Sequence, residues 1–430
     1  MKLRVDQTAA ATGPRRVGHL SGTRHRVAVG CAALLSAATM AACSSGSSRS
    51  SSGTTASQGS GTTITSSSPA NGSSKTLVVS VSGPFSGVYG PLINPLVDPA
   101  IKIWQDSVNA NGGINGMQVS VKKVDNQLTP EGAVNACKQE STNGSAIVVV
   151  TVGLPSEGSC LDAAKVPALI ESQDEALPTN WTYSHTISSL AQQCGVPLAT
   201  LIKNKLGWAA KKIAVVASST LPGEGASFKA AAQAQGLDVV DFETVQTGGT
   251  SYAAQATRIK SSGAQVVVMT GGGPDDLTFV AAAKAVNLAP LWAGCASVTD
   301  QFTQAANGAF SGFQVVLQVA GTDSPAFAKF SQLAAQYGVT KPNQSNALFY
   351  GGLLVAGKAL SAAGSNPTAS SVNAGINSIK NFDPDGLLGP VTFGGAPGTP
   401  GAPGAFALSC CNAQGLLTTL EATPQASFSS

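Results

Sequence analysis

The chain contains very little histidine and carries few charges. Only three of its 430 residues are histidines, and charged residues make up 11% of the sequence. Two of the histidines lie before residue 26, so His185 alone remains for a site in the rest of the chain. Histidine-based metal clusters and Ser/His or Cys/His catalytic pairs therefore have almost no histidine to draw on. We predict no metal site, and we expect His185 in a strand or at a hinge.

Enzyme motifs are also missing. The sequence has no GxSxG nucleophile motif. The segment GLPSEGS (153–159) has the glycine spacing of a phosphate-binding loop without its lysine, and GEGASF (223–228) lacks the third glycine of a dinucleotide-binding fingerprint. We therefore predict no catalytic residue and no cofactor, and hence a protein that is not an enzyme. A doubly wound α/β enzyme is the alternative.

The basic charge of the chain is concentrated at its amino terminus. The formal net charge is +3, but six Lys and Arg residues and Asp6 precede residue 27. Removing these seven from 25 basic and 22 acidic residues leaves 19 basic and 21 acidic groups. The rest of the chain lacks the excess of basic residues that nucleic-acid binding requires, so we expect no nucleic-acid partner.

The first 42 residues are typical of an export signal. A basic segment ends at Arg26, and residues 27–42 are apolar but shorter than the ~20 residues that a membrane-spanning helix needs. Cys43 follows directly, and the sequence Met40–Ala41–Ala42–Cys43 resembles the lipobox of bacterial lipoproteins. We expect residues 1–42 to be a signal peptide and Cys43 to carry lipid. An ordinary secretory cleavage site is the alternative.

A segment of very simple composition follows the lipid site. Residues 44–74 are almost entirely Ser, Gly and Thr. Such a composition cannot bury enough apolar surface to fold. We predict that residues 43–74 form a lipidated, flexible tether with a root-mean-square span of roughly 30 Å. The tether would hold a soluble domain outside the cytoplasm, at the outer face of the cytoplasmic membrane.

From Lys75 onward, short apolar runs alternate with Ala-rich, amphipathic segments. The apolar runs are rich in β-branched residues and are predicted strands, and the Ala-rich segments are predicted helices. Their strict alternation favours α/β architecture with parallel, doubly wound sheets covered on both faces. The predicted strands are 76–81, 117–124, 146–152, 212–218 and 264–270, and the predicted helices begin at Thr129 or cover about 192–206, 224–235, 250–261, 274–286, 323–337 and 344–363.

Ligands of doubly wound sheets bind at the carboxyl ends of the strands. Small residues at those ends allow backbone groups to approach a ligand closely. The loops predicted there are therefore candidate parts of a binding site, and ordinary tight turns between strand and helix are the alternative. These loops, rich in Gly, Ser and Pro, are SGPFSGVYG (82–90), GLPSEGS (153–159), SSTLPGEG (218–225) and GGGPDD (271–276).

Three motifs near the start of the α/β region resemble one family. They are SGPFSGVYG (82–90), VNANGGING (108–116), and Asp125 followed by Thr129–Pro130–Glu131. Together they resemble the opening of the branched-chain amino acid binding proteins, which are the type I periplasmic solute receptors of ABC importers. The similarity in the order of elements extends from Lys75 towards the end of the chain.

The resemblance implies an α/β fold of two doubly wound parallel-sheet lobes joined by a hinge of three crossings. The first lobe would comprise 75–188 and a returning segment 321–385, and the second lobe 189–320 and 386–430. The protein would be a monomer that closes on a small solute and delivers it to the permease subunits of an ABC importer. A ligand sensor for a membrane signalling protein is a further alternative.

The resemblance also implies which residues contact the ligand. Two positions depart from the family pattern: Leu221–Pro222 replaces a frequent aromatic residue, and Cys295 or Ala296 stands where an acid commonly holds the ligand's α-amino group. An amino acid, an amide and a small organic acid therefore all stay open as ligands. For two of the residues, Phe85 and Tyr89, packing beneath the turn is the alternative. The implied contacts are Phe85, Tyr89, Ser156, Glu157, Gln173, Asp174, Pro222 and Gly272.

Six cysteines remain after the signal peptide and Cys43, and an even number suggests disulfides in an exported protein. Cys137 and Cys160 lie on neighbouring elements of one layer and are a predicted pair. Cys410 and Cys411 are expected to have different partners, because neighbours in a strand point to opposite faces. Buried free thiols are the alternative. The cysteines predicted to pair within the second lobe are Cys194, Cys295, Cys410 and Cys411.

Overall fold

The computed structural model describes residues 76–173, 178–189, 192, 194–271, 273–295, 308–395, 399–401 and 405–420. Several predictions of the sequence lie outside these described residues: the signal peptide, the lipid site Cys43, the tether, and the site residues Asp174 and Gly272. Within the described part, no helix combines the length and the apolar character that crossing a membrane requires.

The first lobe is built on a five-stranded sheet in which all neighbouring strands are parallel. The strand order is β2-β1-β3-β4-β5, and the central strand β3 is wholly apolar and buried, as helices on both faces require. The elements are β1 (Thr76–Gly83), α1 (Gly90–Ala110), β2 (Gln118–Asp125), α2 (Pro130–Glu140), β3 (Ile147–Val150), α3 (Pro155–Ala163), β4 (Ala168–Gln173) and β5 (Ser184–Ser189).

The chain then enters the second lobe, where strands and helices alternate again. One π-helical turn, Leu201–Lys205, continues the first helix of this lobe. The elements are α4 (Val196–Thr200), β6 (Ile213–Ser218), α5 (Pro222–Ala234), β7 (Val239–Val245), α6 (Ala253–Ser262), β8 (Val266–Thr270), α7 (Gly273–Ala285), β9 (Leu291–Cys295) and β10 (Gln314–Leu317).

The carboxyl-terminal elements complete both lobes. They are α8 (Pro325–Gln336), α9 (Gln344–Ala362), α10 (Ala369–Ser378), β11 (Phe406–Cys410) and β12 (Leu417–Thr419). The second sheet has the order β12-β11-β10-β9-β8-β6-β7. Strands β11 and β12 join it antiparallel, since they form a hairpin that adds to the edge strand β10. The α/β two-lobe fold is as predicted, but the second sheet is mixed at this edge rather than purely parallel.

Helix α2 begins as its sequence predicts. The Thr129 side chain accepts a hydrogen bond from the backbone N–H of Gly132 at 3.0 Å, and Pro130 occupies the first helical position. Glu131 follows in the first turn, where its negative charge interacts favourably with the positive end of the helix dipole. The helix therefore starts immediately beyond the end of β2 and orients the loop between them.

The returning segment packs on the first lobe. Asn115 Nδ2 donates a hydrogen bond to Leu360 O of α9 at 3.2 Å. Further along, the backbone N–H of Gly401 donates to Thr186 O of β5 at 2.8 Å. Gly401 thus lies against the first lobe, although it comes after the predicted boundary at 385. The lobe boundaries themselves stay predictions, and these contacts favour a later last crossing.

Three disulfides link the six cysteines of the described chain. Cys137–Cys160 joins α2 to α3 and is the pair predicted from the sequence. Cys194–Cys295 joins the start of the second lobe to the end of β9, and Cys410 is joined to Cys411. The prediction that the last two have different partners is wrong. Strand β11 ends at Cys410, so strand alternation no longer determines where the next side chain points.

Candidate functional site

The turn after β1 lies at the carboxyl edge of the first sheet. Pro84, which has no backbone N–H, directly follows Gly83, the last residue of the strand. The turn closes with a hydrogen bond from Gly90 N to Ser86 O at 3.0 Å, and Gly87 has a φ of +62°, which favours glycine. Helix α1 begins at Gly90, so the side chains of this turn lie where a ligand of the sheet would bind.

Phe85 packs against the first lobe. Its backbone N–H donates to Asp125 Oδ1 at 2.9 Å, and Lys123 Nζ lies 4.2 Å from the centre of its ring. A Cβ atom at Gly83 would lie 2.9 Å from Phe85 Cζ, so glycine makes room for the ring. The half-buried ring also packs against the hydrophobic core. These contacts favour the packing alternative, and a ligand contact by Phe85 stays a prediction.

Tyr89 is half-buried immediately before α1. It occupies the N-cap position, but its side chain makes no capping hydrogen bond. Within the described ranges its hydroxyl has no hydrogen-bond partner. The neighbouring Val88 is 77% exposed, so this end of the turn faces outward. The side chain of Tyr89 is placed so that a ligand can reach it, and its role stays a prediction.

Helix α3 presents its first turn at the same edge. Pro155 is its first residue, and the N-cap residue Leu154 offers no side-chain acceptor. Ser156 follows, with a buried Oγ that has no hydrogen-bond partner among the described residues. A buried hydroxyl without a partner costs free energy unless a bound molecule supplies one. Pro155 has no N–H, and those of Glu157 and Gly158 donate to Leu154 O, so the N–H of Ser156 remains beside this hydroxyl, and the two donors suit a carboxylate.

Glu157 is fully buried beneath this edge. Its Oε1 accepts a hydrogen bond from Ser82 Oγ at 2.5 Å, and its Oε2 accepts one from Asn126 Nδ2 at 2.8 Å. Both carboxyl oxygens are therefore occupied inside the first lobe. This geometry argues against the direct ligand contact predicted for Glu157, because the side chain supports the loops from below.

A second buried acid, Glu140 at the end of α2, interacts with Glu157. Burial raises the pKa of Glu157 to about 7. Burial, and then the charge of Glu157, raise the pKa of Glu140 to about 9. The pair therefore retains a proton at neutral pH, as two acids that share one buried site do.

The other predicted contacts lie on both lobes. Gln173 is the last residue of β4 and pairs with Ser189 of β5, which places it at the carboxyl edge of the first sheet. In the second lobe, Pro222 is exposed and is the first residue of α5. Asp174 and Gly272 lie outside the described residues. The ligand roles of these four residues stay predictions.

Hydroxyl groups connect the loops at the carboxyl edge of the second sheet. Thr247 Oγ1, after β7, lies 2.9 Å from Ser218 Oγ at the end of β6 and 2.6 Å from Thr220 Oγ1 in the loop that follows. The backbone N–H of Gly248 donates to Asp275 Oδ1 of α7 at 2.9 Å. Hydrogen bonds thus join the loop after β6, the loop after β7 and the first turn of α7.

Tyr252 and Asp275 form a buried pair that sequence reasoning missed. The Tyr252 hydroxyl donates to Asp275 Oδ1 at 2.7 Å, and the tyrosine is only 2% exposed. Burial, and then the hydrogen bond to Asp275, raise the pKa of Tyr252. Asp275 is visible in the sequence as an acid in a glycine-rich loop after a strand. Its partner Tyr252 directly precedes another helix, α6, and no local signal in the sequence connects the two residues.

Glu224 of α5 is buried against the Cys194–Cys295 disulfide. Its Oε2 lies 3.4 Å from Cys194 Sγ and 3.7 Å from Cys295 Sγ. Two cysteine thiolates and a carboxylate at this spacing could hold a metal ion. Sulfurs joined in a disulfide are not thiolates, so the arrangement does not fit a metal site. Cys295 stands at the end of β9, facing this acid.

Residues 76–408 match the family described as periplasmic binding protein. The match runs from the first strand of the first lobe into β11 of the second. The chain belongs to this family. Its members are binding proteins, which confirms the prediction that this protein is not an enzyme.

Similar proteins agree with this membership. An "Amino acid binding protein" of Pseudomonas aeruginosa is 28% identical over 249 residues, which cover 54% of this chain and 64% of that relative's length. A branched chain amino acid ABC transporter structure from Thermus thermophilus, with bound valine, has a TM-score of 0.70 at 16% identity, over 82% of this chain and 97% of that one. A solute binding protein of an ABC transporter from R. palustris, in complex with 4-hydroxybenzoate, has a TM-score of 0.68 at 22% identity, over 82% and 97%. The two solved structures share the fold.

Proposed function

We propose that this chain is a lipid-anchored extracytoplasmic receptor that captures a small polar solute between its lobes and delivers it to the permease of an ABC-type importer. The solute is an amino acid, an amide or a small organic acid. The observation that carries the proposal is the buried hydroxyl of Ser156, without a hydrogen-bond partner in the described chain, in the first turn of α3. It lies at the edge of the first sheet where ligands of doubly wound sheets bind.

A carboxylate is the ligand group that the first lobe fits best. In the first turn of α3, Ser156 offers two donors, its backbone N–H and its hydroxyl. The similar proteins from Thermus thermophilus and R. palustris hold valine and 4-hydroxybenzoate, which both carry a carboxylate. In the second lobe, the resemblance places Cys295 or Ala296 where family members commonly have the acid that holds an α-amino group, and Cys295 is bonded to Cys194. An amine on the solute is therefore not required.

The membrane anchor is supported by the sequence alone. The apolar run that ends in Met40–Ala41–Ala42–Cys43 and the Ser, Gly and Thr-rich segment after it suit a lipid anchor with a flexible tether. Mass spectrometry of the mature protein from a membrane fraction is expected to find diacylated Cys43 at its amino terminus. A mature chain that starts elsewhere and carries no lipid would contradict the anchor.

The binding function is tested by a thermal-shift screen of amino acids, amides and small organic acids, followed by calorimetric titration. At least one compound is expected to bind with a stoichiometry of one. Ser156→Ala is expected to weaken its binding by about 1 to 3 kcal/mol, the scale of one hydrogen bond to a charged group. Ser159→Ala is the matched control, because Ser159 is exposed on the same helix. A screen in which no compound binds would contradict the proposal.

A further inference from the structure

Three loops of the first lobe meet above one buried carboxyl group. Ser82 precedes the turn after β1, Asn126 follows β2, and Glu157 belongs to the first turn of α3. All three side chains are fully buried. Ser82 Oγ and Asn126 Nδ2 donate to different oxygens of the Glu157 carboxyl group, at 2.5 and 2.8 Å. One side chain thus joins all three loops.

Asn126 extends this connection through its other polar groups. Its Nδ2 also donates to Val152 O at 3.0 Å, and its backbone N–H donates to Gly83 O at 3.0 Å. Its Oδ1 accepts a hydrogen bond from the backbone N–H of Leu128 at 3.1 Å. Asn126 therefore contacts the end of β1, the loop after β2 and the loop after β3. Its side-chain position depends on the carboxyl group that it faces.

We propose that Glu157 is the positioning residue of the first lobe's binding edge. Its carboxyl group holds the three loops in one arrangement and so places Ser156 and Tyr89 for the solute, without touching the solute itself. This inference rests on the proposed function. Glu157 follows Ser156 directly in the first turn of α3, so a change in the orientation of that turn moves both residues.

Glu140 provides a matched comparison in the same buried site. It is a buried acid that interacts with Glu157 and lies near Ser82. Both of its carboxyl oxygens are without a hydrogen-bond partner in the described chain. Glu140 is therefore an acid in the same buried environment as Glu157, but its carboxyl oxygens do not join the loops through hydrogen bonds.

Three variants separate the contacts of Glu157 from its charge. Glu157→Gln keeps both contacts, because the amide oxygen accepts from Asn126 and the amide nitrogen donates to the hydroxyl oxygen of Ser82. Glu157→Leu removes both contacts while it keeps a similar volume. Ser82→Ala removes one of them. Glu140→Gln is the control for the change from an acid to an amide in the same buried site.

Hydrogen exchange measures the arrangement of the loops directly, and calorimetry measures its effect on binding. Peptides that cover residues 83–90, 126–130 and 152–157 report on the three loops. Glu157→Leu is expected to raise exchange in all three and to weaken the binding of valine or 4-hydroxybenzoate, whichever binds the wild type, each by about tenfold or more. Glu157→Gln and Glu140→Gln are expected to stay within about twofold of the wild type.

Each outcome decides the proposal. Wild-type exchange and binding in Glu157→Leu would overturn it, and so would failure of Glu157→Gln to preserve the slow exchange. If Glu157→Leu does not fold, Ser82→Ala decides, because faster exchange in residues 83–90 and 152–157 supports the role and unchanged exchange overturns it. If neither valine nor 4-hydroxybenzoate, nor any screened compound, binds the wild type, the proposed function fails. The exchange rates then still test the positioning role.

Discussion

The carboxyl edges of the two sheets are held together by different chemistry. In the first lobe, hydrogen bonds from Ser82 and Asn126 to the buried carboxyl group of Glu157 join three loops. In the second lobe, the Cys194–Cys295 disulfide ties the start of the lobe to β9, and a Tyr252–Asp275 hydrogen bond joins two helices. Equivalent edges of two doubly wound sheets can thus be fixed by a titratable group or by a covalent bond. The carboxyl edge of the first sheet should therefore respond to pH, and that of the second sheet to reduction.

The largest expected effect on stability is the removal of the disulfide of the second lobe. Replacing Cys194 and Cys295 by Ser removes a bond between residues 101 positions apart. On the chain-entropy model, the free energy of unfolding should fall by about 4 to 5 kcal/mol. The same change at Cys137–Cys160, which are 23 positions apart, is expected to cost about 3 kcal/mol. Urea unfolding of the two double variants measures both losses.

The adjacent pair Cys410–Cys411 supplies the control for this series. Its disulfide joins neighbours in the chain and constrains almost no loop, so its double Ser variant is expected to unfold close to the wild type. Equal losses in all three double variants would show that loop length does not decide the contribution of these bonds.

The pH dependence of stability is expected to follow the first lobe. Burial raises the pKa of Glu157 from 4.5 to about 7, so the folded chain holds a proton that the unfolded chain releases. The free energy of unfolding should therefore fall by about 3 kcal/mol from this group as the pH rises from about 4.5 to about 7, and no further above that. Glu140, whose pKa is raised to about 9, extends the loss to higher pH.

Urea unfolding at a series of pH values tests this expectation on the wild type, Glu157→Gln and Glu140→Gln. Glu157→Gln should show a shallower loss of stability between about pH 4.5 and 7, and Glu140→Gln a shallower loss that continues to about pH 9. A Glu157→Gln protein with the slope of the wild type would mean that the carboxyl group of Glu157 does not titrate in this range.

A smaller effect is expected from the buried pair of the second lobe. Tyr252→Phe removes a hydroxyl that donates to Asp275 Oδ1 and lies 2.6 Å from Gln246 O, so the free energy of unfolding should fall by about 1 to 2 kcal/mol. Tyr337→Phe is the control, since the Tyr337 hydroxyl makes no hydrogen bond within the described chain. Equal changes in the free energy of unfolding of the two variants would show that the Tyr252–Asp275 hydrogen bond does not stabilise this edge.

The sequence predicts five of the strands and misses others, among them the apolar β10 and the polar β5. Runs such as Ile147–Val150 and Val266–Thr270 show their burial directly through β-branched residues. Strand β5 is buried too, but it reads SHTISS and has no apolar pattern. Its hydroxyls are satisfied by backbone carbonyls, as in the bond from Ser184 Oγ to Gly158 O at 2.7 Å. In this segment, only His185 was expected in a strand or at a hinge, and its position in a strand is confirmed.

The candidate site shows a second limit of sequence reasoning. The sequence correctly places the loop after β3 at the carboxyl edge of a strand. It does not predict the direction in which each side chain of that loop points. Helix α3 begins at Pro155, and successive residues of a helix point about 100° apart. Ser156 and Glu157 therefore cannot face the same way, and the acid turns inward to Ser82 and Asn126.

The central claim is that a small solute binds between the lobes at the turn after β1 and leaves unchanged. Calorimetric titration of the wild type, Tyr89→Ala and the control Tyr337→Ala, with chromatography of the recovered compound, tests it most directly. We predict that Tyr89→Ala alone weakens binding, by about 1 to 3 kcal/mol, and that the compound is recovered intact. Wild-type affinity in a folded Tyr89→Ala protein would remove this turn from the site, and a chemically altered compound would contradict the binding-protein function.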